Sequence, residues 1–389
     1  MKIVYEKIKR PEQNEYRAPV ELNQNTMEEH RMKVLGKMEE NGLDALVIYG
    51  DREHGANFAY LTGFEPRFEE ALLVLHRNGD CCFLLGNENL KMSQYSFVKG
   101  RTIHVPHFSL PYQPMDTEKT LVQLILESGL GDGMRIGCVG WKRFTGKLED
   151  NSRLLDLPAF IADAVREVNP TGITQNASGI FLDAKGGVRI ERNANELAHY
   201  EFGAGLASSR VLAALDAVEP GKTETEIAGY LVAQGQPLTV TTICATGERF
   251  TNGVVFPRAK KIARGDRFSI TLGLRGGLTS RAAYAAYSRE ELPQGEQDYL
   301  EQVALPYYTA LVSWLEMVGI GVTGGEVYKK IEEILPKSRF HWELNPGHYT
   351  DAEEWSSSPF YPDSQVTLKS GMMLQLDIIP RVPGYAGAG

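Results

Sequence analysis

Cysteine is scarce, basic charge does not dominate, and long apolar runs are missing. The four cysteines stand at 81, 82, 138 and 244 of 389 residues, without the paired spacing of a zinc or redox site. On a strand, adjacent Cys81 and Cys82 point to opposite faces, so all four are expected as buried thiols. Lysine and arginine number 41 against 50 aspartates and glutamates, a net charge of −9. That balance excludes a general nucleic-acid or anionic-membrane surface, because no basic excess exists to displace counterions. A small or cationic ligand is the easier partner. No run approaches the roughly 18 uncharged apolar residues of a membrane span, and the opening MKIVYEKIKR has no apolar leader core. The expectation is a cytoplasmic chain with neither a membrane nor a nucleic-acid partner.

Several signatures are also missing. No Gly-x-Gly-x-x-Gly follows a strand, no Walker loop occurs, and no Gly-x-Ser-x-Gly elbow is present. The sequon Asn176-Ala-Ser178 carries no weight in a cytoplasmic protein. What remains is an ordinary globular composition, 42% apolar and 23% charged, in a chain long enough for two cores.

The first half alternates helix and strand. Thr26-Met-Glu-Glu29 has the form of a capping box, Met27, Val34, Leu35 and Met38 keep a helical stripe, and Gly42 stands where a helix ends. Strands are predicted at Asp44–Gly50, Ala71–His76, Cys81–Leu85, Thr102–Val105 and Arg135–Val139. A short helix and turn is predicted at Asn57–Gly63, and a helix from about Thr117 to Ser128. This alternation implies a layered α/β domain with a parallel or mixed sheet. The polar stretch at 180–192 precedes a long helical pattern over Asn195–Ala217, which sets the expected domains at 1–185 and 186–389.

The second half repeats itself. Asp216–Ile227 (DAVEPGKTETEI) aligns without gaps to Glu316–Val327 (EMVGIGVTGGEV), sharing Gly221/Gly321, Thr223/Thr323 and Glu226/Glu326. Each copy ends one helix at a glycine and opens the next with a Thr-x-x-Glu box. Two αα-ββ halves related by pseudo-symmetry follow, with a cleft over a curved sheet as the natural site.

Within that half, residues 265–284 (GDRFSITLGLRGGLTSRAAY) have hairpin composition. Arg267–Leu274 and Leu278–Tyr284 flank Gly276–Gly277, and glycine accepts the positive φ of a tight turn. Asp266 is its only carboxylate. Thr271, Ser280 and Arg281 are the candidates to face inward.

Asn57–Gly63, Glu219-Pro-Gly-Lys-Thr-Glu-Thr-Glu226, Gly265-Asp266, Gly347-His348 and Gly371-Met-Met-Leu-Gln-Leu-Asp377 occur in an order and spacing that resembles the creatinase, prolidase and Xaa-Pro aminopeptidase family. The resemblance implies an α/β N-terminal domain followed by an α+β pita-bread domain with internal pseudo-two-fold symmetry, and a homodimer. Peptidases of that family hold two divalent metals with two Asp of the hairpin, a His and two Glu. In this chain the first Asp position is Thr271, and the second falls at Arg281 or Ala282. The His position is His348, the first Glu position is Asp377, and the last Glu would lie beyond Gly389. The accessory histidines are missing too. Cys244–Lys261 contains none, and the positions flanking the ligand His are Leu344 and Trp355.

Two hard cations roughly 3–4 Å apart need several bridging carboxylates to offset their repulsion, and one His with one Asp supplies too few. No metal and no cofactor is therefore expected. Arg281 is expected to fill metal space and pair with Asp377, and His348 to act as general acid or base with Asp377. Thr271, Arg281, Tyr349, Glu353 and Trp355 are expected to bind substrate, alongside Asp351 and Glu354, in a pocket suited to a cationic group. Arg249, Arg258 and Arg275 are further candidates for a substrate carboxylate. By resemblance, Arg67 and Phe68 in Phe64-Glu-Pro-Arg-Phe68 are suited to close the site of a partner subunit. Three functions stay open. They are a metal-independent C–N hydrolase of a small guanidino or amide substrate, a metal-dependent Xaa-Pro aminopeptidase or dipeptidase, and a non-catalytic relative that binds a small molecule or peptide.

Overall fold

A computed structural model describes residues 3–12, 18–114, 117–252 and 255–389. The chain forms two compact units, Leu22–Ile190 and Met1–Glu21 with Glu191–Gly389. Residues 1–21, expected with the N-terminal domain, thus belong to the second unit. The Asn195 side chain donates to the Glu21 carbonyl at 2.9 Å, and Arg10 pairs with Asp216 at 2.6 Å.

In the first unit, α1 (Gln24–Glu40), β1 (Ala45–Gly50), α2 (Ala56–Thr62), β2 (Ala71–His76), β3 (Cys81–Leu85), β4 (Arg101–His104), α3 (Leu121–Glu127), β5 (Arg135–Val139), α4 (Ala159–Val168), β6 (Ile173–Asn176) and α5 (Gly179–Leu182) follow in order. The sheet order is β4-β3-β2-β1-β5-β6. It is mixed, with β1 parallel to β5 but antiparallel to β2. Strand alternation feeds two cores. Leu46 and Ile48 pack with Val34, Met38 and Phe58 on one face, and Val47 and Tyr49 with Leu124, Ile125 and Ile161 on the other. Cys81 and Cys82 divide between those faces, and all four cysteines are buried and free. The cap of α1 is Asn23, whose side chain accepts from Thr26 N–H, so the helix starts ahead of the Thr26 box. Gly42 follows at φ +63°. In the Asn57–Gly63 stretch, the Asn57 side chain donates to Gly140 O at 2.7 Å and accepts from Arg189 Nη1 at 2.6 Å. That explains a buried asparagine in an apolar helix.

The second unit contains α6 (Ala194–Ala217), α7 (Glu224–Ala228), β7 (Ile243–Thr246), β8 (Asp266–Leu274), β9 (Gly277–Ala285), α8 (Leu305–Met317), α9 (Gly324–Ile334), α10 (Lys337–Phe340), β10 (His348–Tyr349) and β11 (Leu374–Gln375). The repeat is present in its hydrogen bonds as well as its letters. Gly221 N–H donates to Ile262 O at 2.8 Å and Gly321 N–H to Leu368 O at 2.9 Å. Glu224 N–H and Gly324 N–H likewise donate to Lys260 O and Val366 O, each at 2.9 Å. Thr223 and Thr323 each close a full capping box with the Glu three residues on. The strands form a three-stranded sheet, β7-β8-β9, and a separate pair, β10-β11, rather than one continuous ladder.

The hairpin turns through Arg275 and Gly276, with Leu274 opposite Gly277. Gly276 has φ +98°, and a Cβ there would sit 2.0 Å from Tyr200 O, so conformation and space both require glycine. Helix α6 crosses the back of the hairpin. Its Phe202, Leu206 and Val211 share a core with Phe268, Ile270, Leu272 and Leu274.

The two repeats differ where Glu224 answers to Gly324. Glu224 is fully buried, pairs with Arg249 Nε at 3.0 Å and accepts from the amides of Thr246 and Arg258, each at 2.8 Å. Glu224→Ala strands two buried N–H groups and a guanidinium, so urea unfolding should show a loss of about 3–5 kcal/mol.

Candidate active site

His348 on β10 stands opposite Gln375 on β11. Its side chain is fully buried. Nδ1 lies 3.0 Å from the Tyr349 carbonyl, to which it donates, and Nε2 is left facing the site. Three side chains converge on that nitrogen. Glu354 Oε1 is at 3.2 Å, Gln375 Nε2 at 3.3 Å and Asp377 Oδ2 at 3.8 Å. The Gln375 amide is oriented by its other end, because Oε1 accepts from Leu278 N–H of β9 at 2.8 Å. Its NH2 group therefore faces the imidazole and also donates to Glu354 Oε1 at 3.0 Å. Trp355 stacks on the imidazole at 4.2 Å, 25° from parallel. Burial pushes the Asp377 carboxyl up, with His348 opposing the shift and Glu354 adding to it.

The hairpin presents neutral groups. Thr271 and Ser280 are cross-strand partners whose hydroxyl oxygens are 2.8 Å apart. Arg281 corrects the sequence reading. It stands opposite Ile270, whose side chain packs under α6, and so lies on the face away from Thr271 and Ser280. Its guanidinium is exposed, donates to Ser280 O at 2.6 Å and makes no ion pair with Asp377. The residue facing inward at this register is Ala282, opposite Ser269. The second family Asp position thus carries a methyl group, with Gly387 and Gly389 lying against it.

The other expected site residues divide. Tyr349 is buried, with its hydroxyl 3.6 Å from Met372 Sδ. Trp355 reaches the imidazole, whereas it is Glu354 and not Glu353 that approaches Nε2; Glu353 N–H donates to Asp351 Oδ1 at 3.1 Å. Asp351 is itself committed, buried with Arg192 and Glu196, and its carbonyl accepts from Gly276 N–H at 2.6 Å. Arg249 is engaged by Glu224, and Arg258 lies over Phe256 at 4.8 Å. In the first unit, exposed Arg67 donates to Arg52 O and to Glu65 Oε2, each at 2.9 Å. Gln375 went unnoticed in the sequence, although it stands only two residues before Asp377.

Among the described residues, His348, Glu354 and Asp377 are the one group of three ligand-type side chains whose atoms lie within 4.8 Å of one another. One histidine and two carboxylates fit a single divalent ion. They do not fit two, since the hairpin offers hydroxyls and a methyl where bridging carboxylates are needed.

Residues 203–387 match the model of metallopeptidase family M24, and residues 31–145 that of the creatinase/prolidase N-terminal domain. Solved structures of the same fold include the prolidase of Pyrococcus horikoshii OT3, 17% identical at a TM-score of 0.70 over 92% of this chain and 93% of that one. The Xaa-Pro dipeptidase of Bacillus anthracis is 14% identical at 0.68, over 93% and 92%. The recombinant prolidase of Thermococcus sibiricus is 16% identical at 0.71, over 93% and 92%. No curated protein matches. The architecture is that of an α/β N-terminal domain followed by a pita-bread domain. The chain belongs to the creatinase, prolidase and aminopeptidase P family.

The Gln375 amide holds β9 to β11. Gln375→Leu leaves the Leu278 N–H without its acceptor, and urea melts should show a loss of about 1–3 kcal/mol.

Proposed function

We propose that the protein hydrolyses a C–N bond in a small polar substrate, a short peptide or an amide or guanidino compound, by proton transfer at His348 and without a dinuclear metal centre. The observation that carries this reading is the pair of hydroxyls, Thr271 and Ser280, with Ala282 beside them, where metal-bridging carboxylates would stand. His348 Nε2 takes a proton from water as the water oxygen bonds to the carbonyl or amidine carbon. The imidazolium that forms has Glu354 at 3.2 Å and Asp377 at 3.8 Å to balance its charge. The same proton then passes to the leaving nitrogen as the C–N bond breaks. The names of the solved relatives, prolidase and Xaa-Pro dipeptidase, support a short peptide as one substrate class. Family membership supports a homodimer.

A second reading has one specific observation in its favour, the convergence of His348, Glu354 and Asp377. Those three would hold one divalent ion, which supplies Lewis-acid polarisation of the scissile carbonyl. The Tyr349 carbonyl on Nδ1 orients the ring for such a role equally well.

A panel of Xaa-Pro dipeptides, small amides and guanidino compounds separates the readings. Wild-type turnover should survive exhaustive chelation, and His348→Asn should lower it about 10²–10⁴-fold. Activity that chelation abolishes and manganese restores supports the second reading. Full activity in His348→Asn contradicts both.

A further inference from the structure

A fourth side chain stands within the ligand group of His348, Glu354 and Asp377. Gln375 lies directly across the β10-β11 ladder from His348, a register that keeps the two side chains within reach of each other. Its Nε2 is 3.3 Å from His348 Nε2 and 3.0 Å from Glu354 Oε1, and those two atoms are themselves 3.2 Å apart. The amide cannot turn over. A backbone N–H only donates, so the Leu278 N–H at 2.8 Å requires the amide oxygen at that end and the NH2 group at the other.

The imidazole is held as firmly. Nδ1 donates to the Tyr349 carbonyl at 3.0 Å and Trp355 stacks on the ring at 4.2 Å, so Nε2 stays turned toward the amide. Facing an N–H donor, Nε2 is the acceptor of that pair. An imidazole nitrogen has a single lone pair to give. It accepts a hydrogen bond or it binds a metal ion, and it cannot do both. The inward NH2 group has two N–H donors and no lone pair to offer an ion in exchange. Entry of an ion requires the amide to swing out, which leaves the Leu278 N–H without its acceptor, and that cost is subtracted from the ion's affinity.

We propose, on the metal-independent reading of the site given above, that Gln375 sets its metal selectivity by competing with a divalent ion for His348 Nε2 and Glu354 Oε1. The three ligand-type side chains fit one ion, and the carboxamide keeps it out. Gln375 is thus a positioning residue in the native chain and a barrier to the metal chemistry that its neighbours could otherwise support.

Calorimetric titration of the chelator-treated full chain with manganese tests the proposal. Gln375→Ala removes the amide without adding a charge or a ligand. It should bind one manganese per chain at least about tenfold more tightly than wild type, and manganese should raise its melting temperature more than that of wild type. Gln375→Met, which keeps the side-chain length, serves the same purpose where the shorter variant does not fold. Adding His348→Asn should remove the gain. Manganese affinity equal to that of wild type would overturn the assignment, as would a gain that His348→Asn leaves intact. So would a gain confined to Gln375→Glu, which keeps the Leu278 hydrogen bond but adds a charge. Turnover by the same chelator-treated wild type scores the hydrolase reading separately. Metal-free turnover with equal manganese affinities fails the Gln375 assignment alone, and no turnover with the predicted gain fails only the hydrolase reading.

Discussion

The hydrogen bond from Leu278 N–H to the Gln375 side-chain carbonyl is the contact on which the site depends. It joins the hairpin to the β10-β11 pair, which share no backbone ladder. It also decides which end of the amide faces His348. With the NH2 end inward, Gln375 can donate to an unprotonated Nε2 and to Glu354, and the Tyr349 carbonyl selects the matching tautomer at Nδ1. An imidazole oriented with Nε2 toward two carboxylates is thereby assembled by the chain itself, which is the preorganisation the proposed proton transfer needs.

On the proposed function, the same hairpin is what separates this site from a dinuclear one. Two divalent ions a few ångströms apart repel strongly, and bridging carboxylates are what make the arrangement tolerable. Thr271 and Ser280 satisfy each other at 2.8 Å and carry no charge. Arg281 does not compensate for the missing acids, because it lies behind the sheet toward α6. The anionic charge of the site is therefore concentrated on Glu354 and Asp377, on one side of the imidazole.

Much of the fold was legible because its signals are local. The Thr-x-x-Glu boxes at 223 and 323, the glycines at 221 and 321 and the hairpin composition at 265–284 each report a backbone conformation within a few residues. The paired hydrogen bonds of the two repeats follow from them. The site was legible only in outline. Arg281 and Ala282 differ by one residue, and a one-residue difference exchanges the two faces of a strand; only the register against β8 separates them. Glu354 was named among the acids of its segment, but its approach to His348 in preference to Glu353 is set by a loop folded back at Tyr349 and Ser357. Gln375 acquires its role from Leu278, 97 positions away. Asn23 took the cap expected near Thr26, and Thr26 and Met27 are buried within the first turn that follows.

The central claim of the proposed function is that this site is built for one histidine and two carboxylates and not for a pair of metal ions. Titration of the chelator-treated chain with manganese, followed by electron paramagnetic resonance, counts the bound ions directly. The account predicts no more than one manganese per chain and no spin-coupled pair at saturation. Two manganese ions per chain with a coupled signal would contradict it.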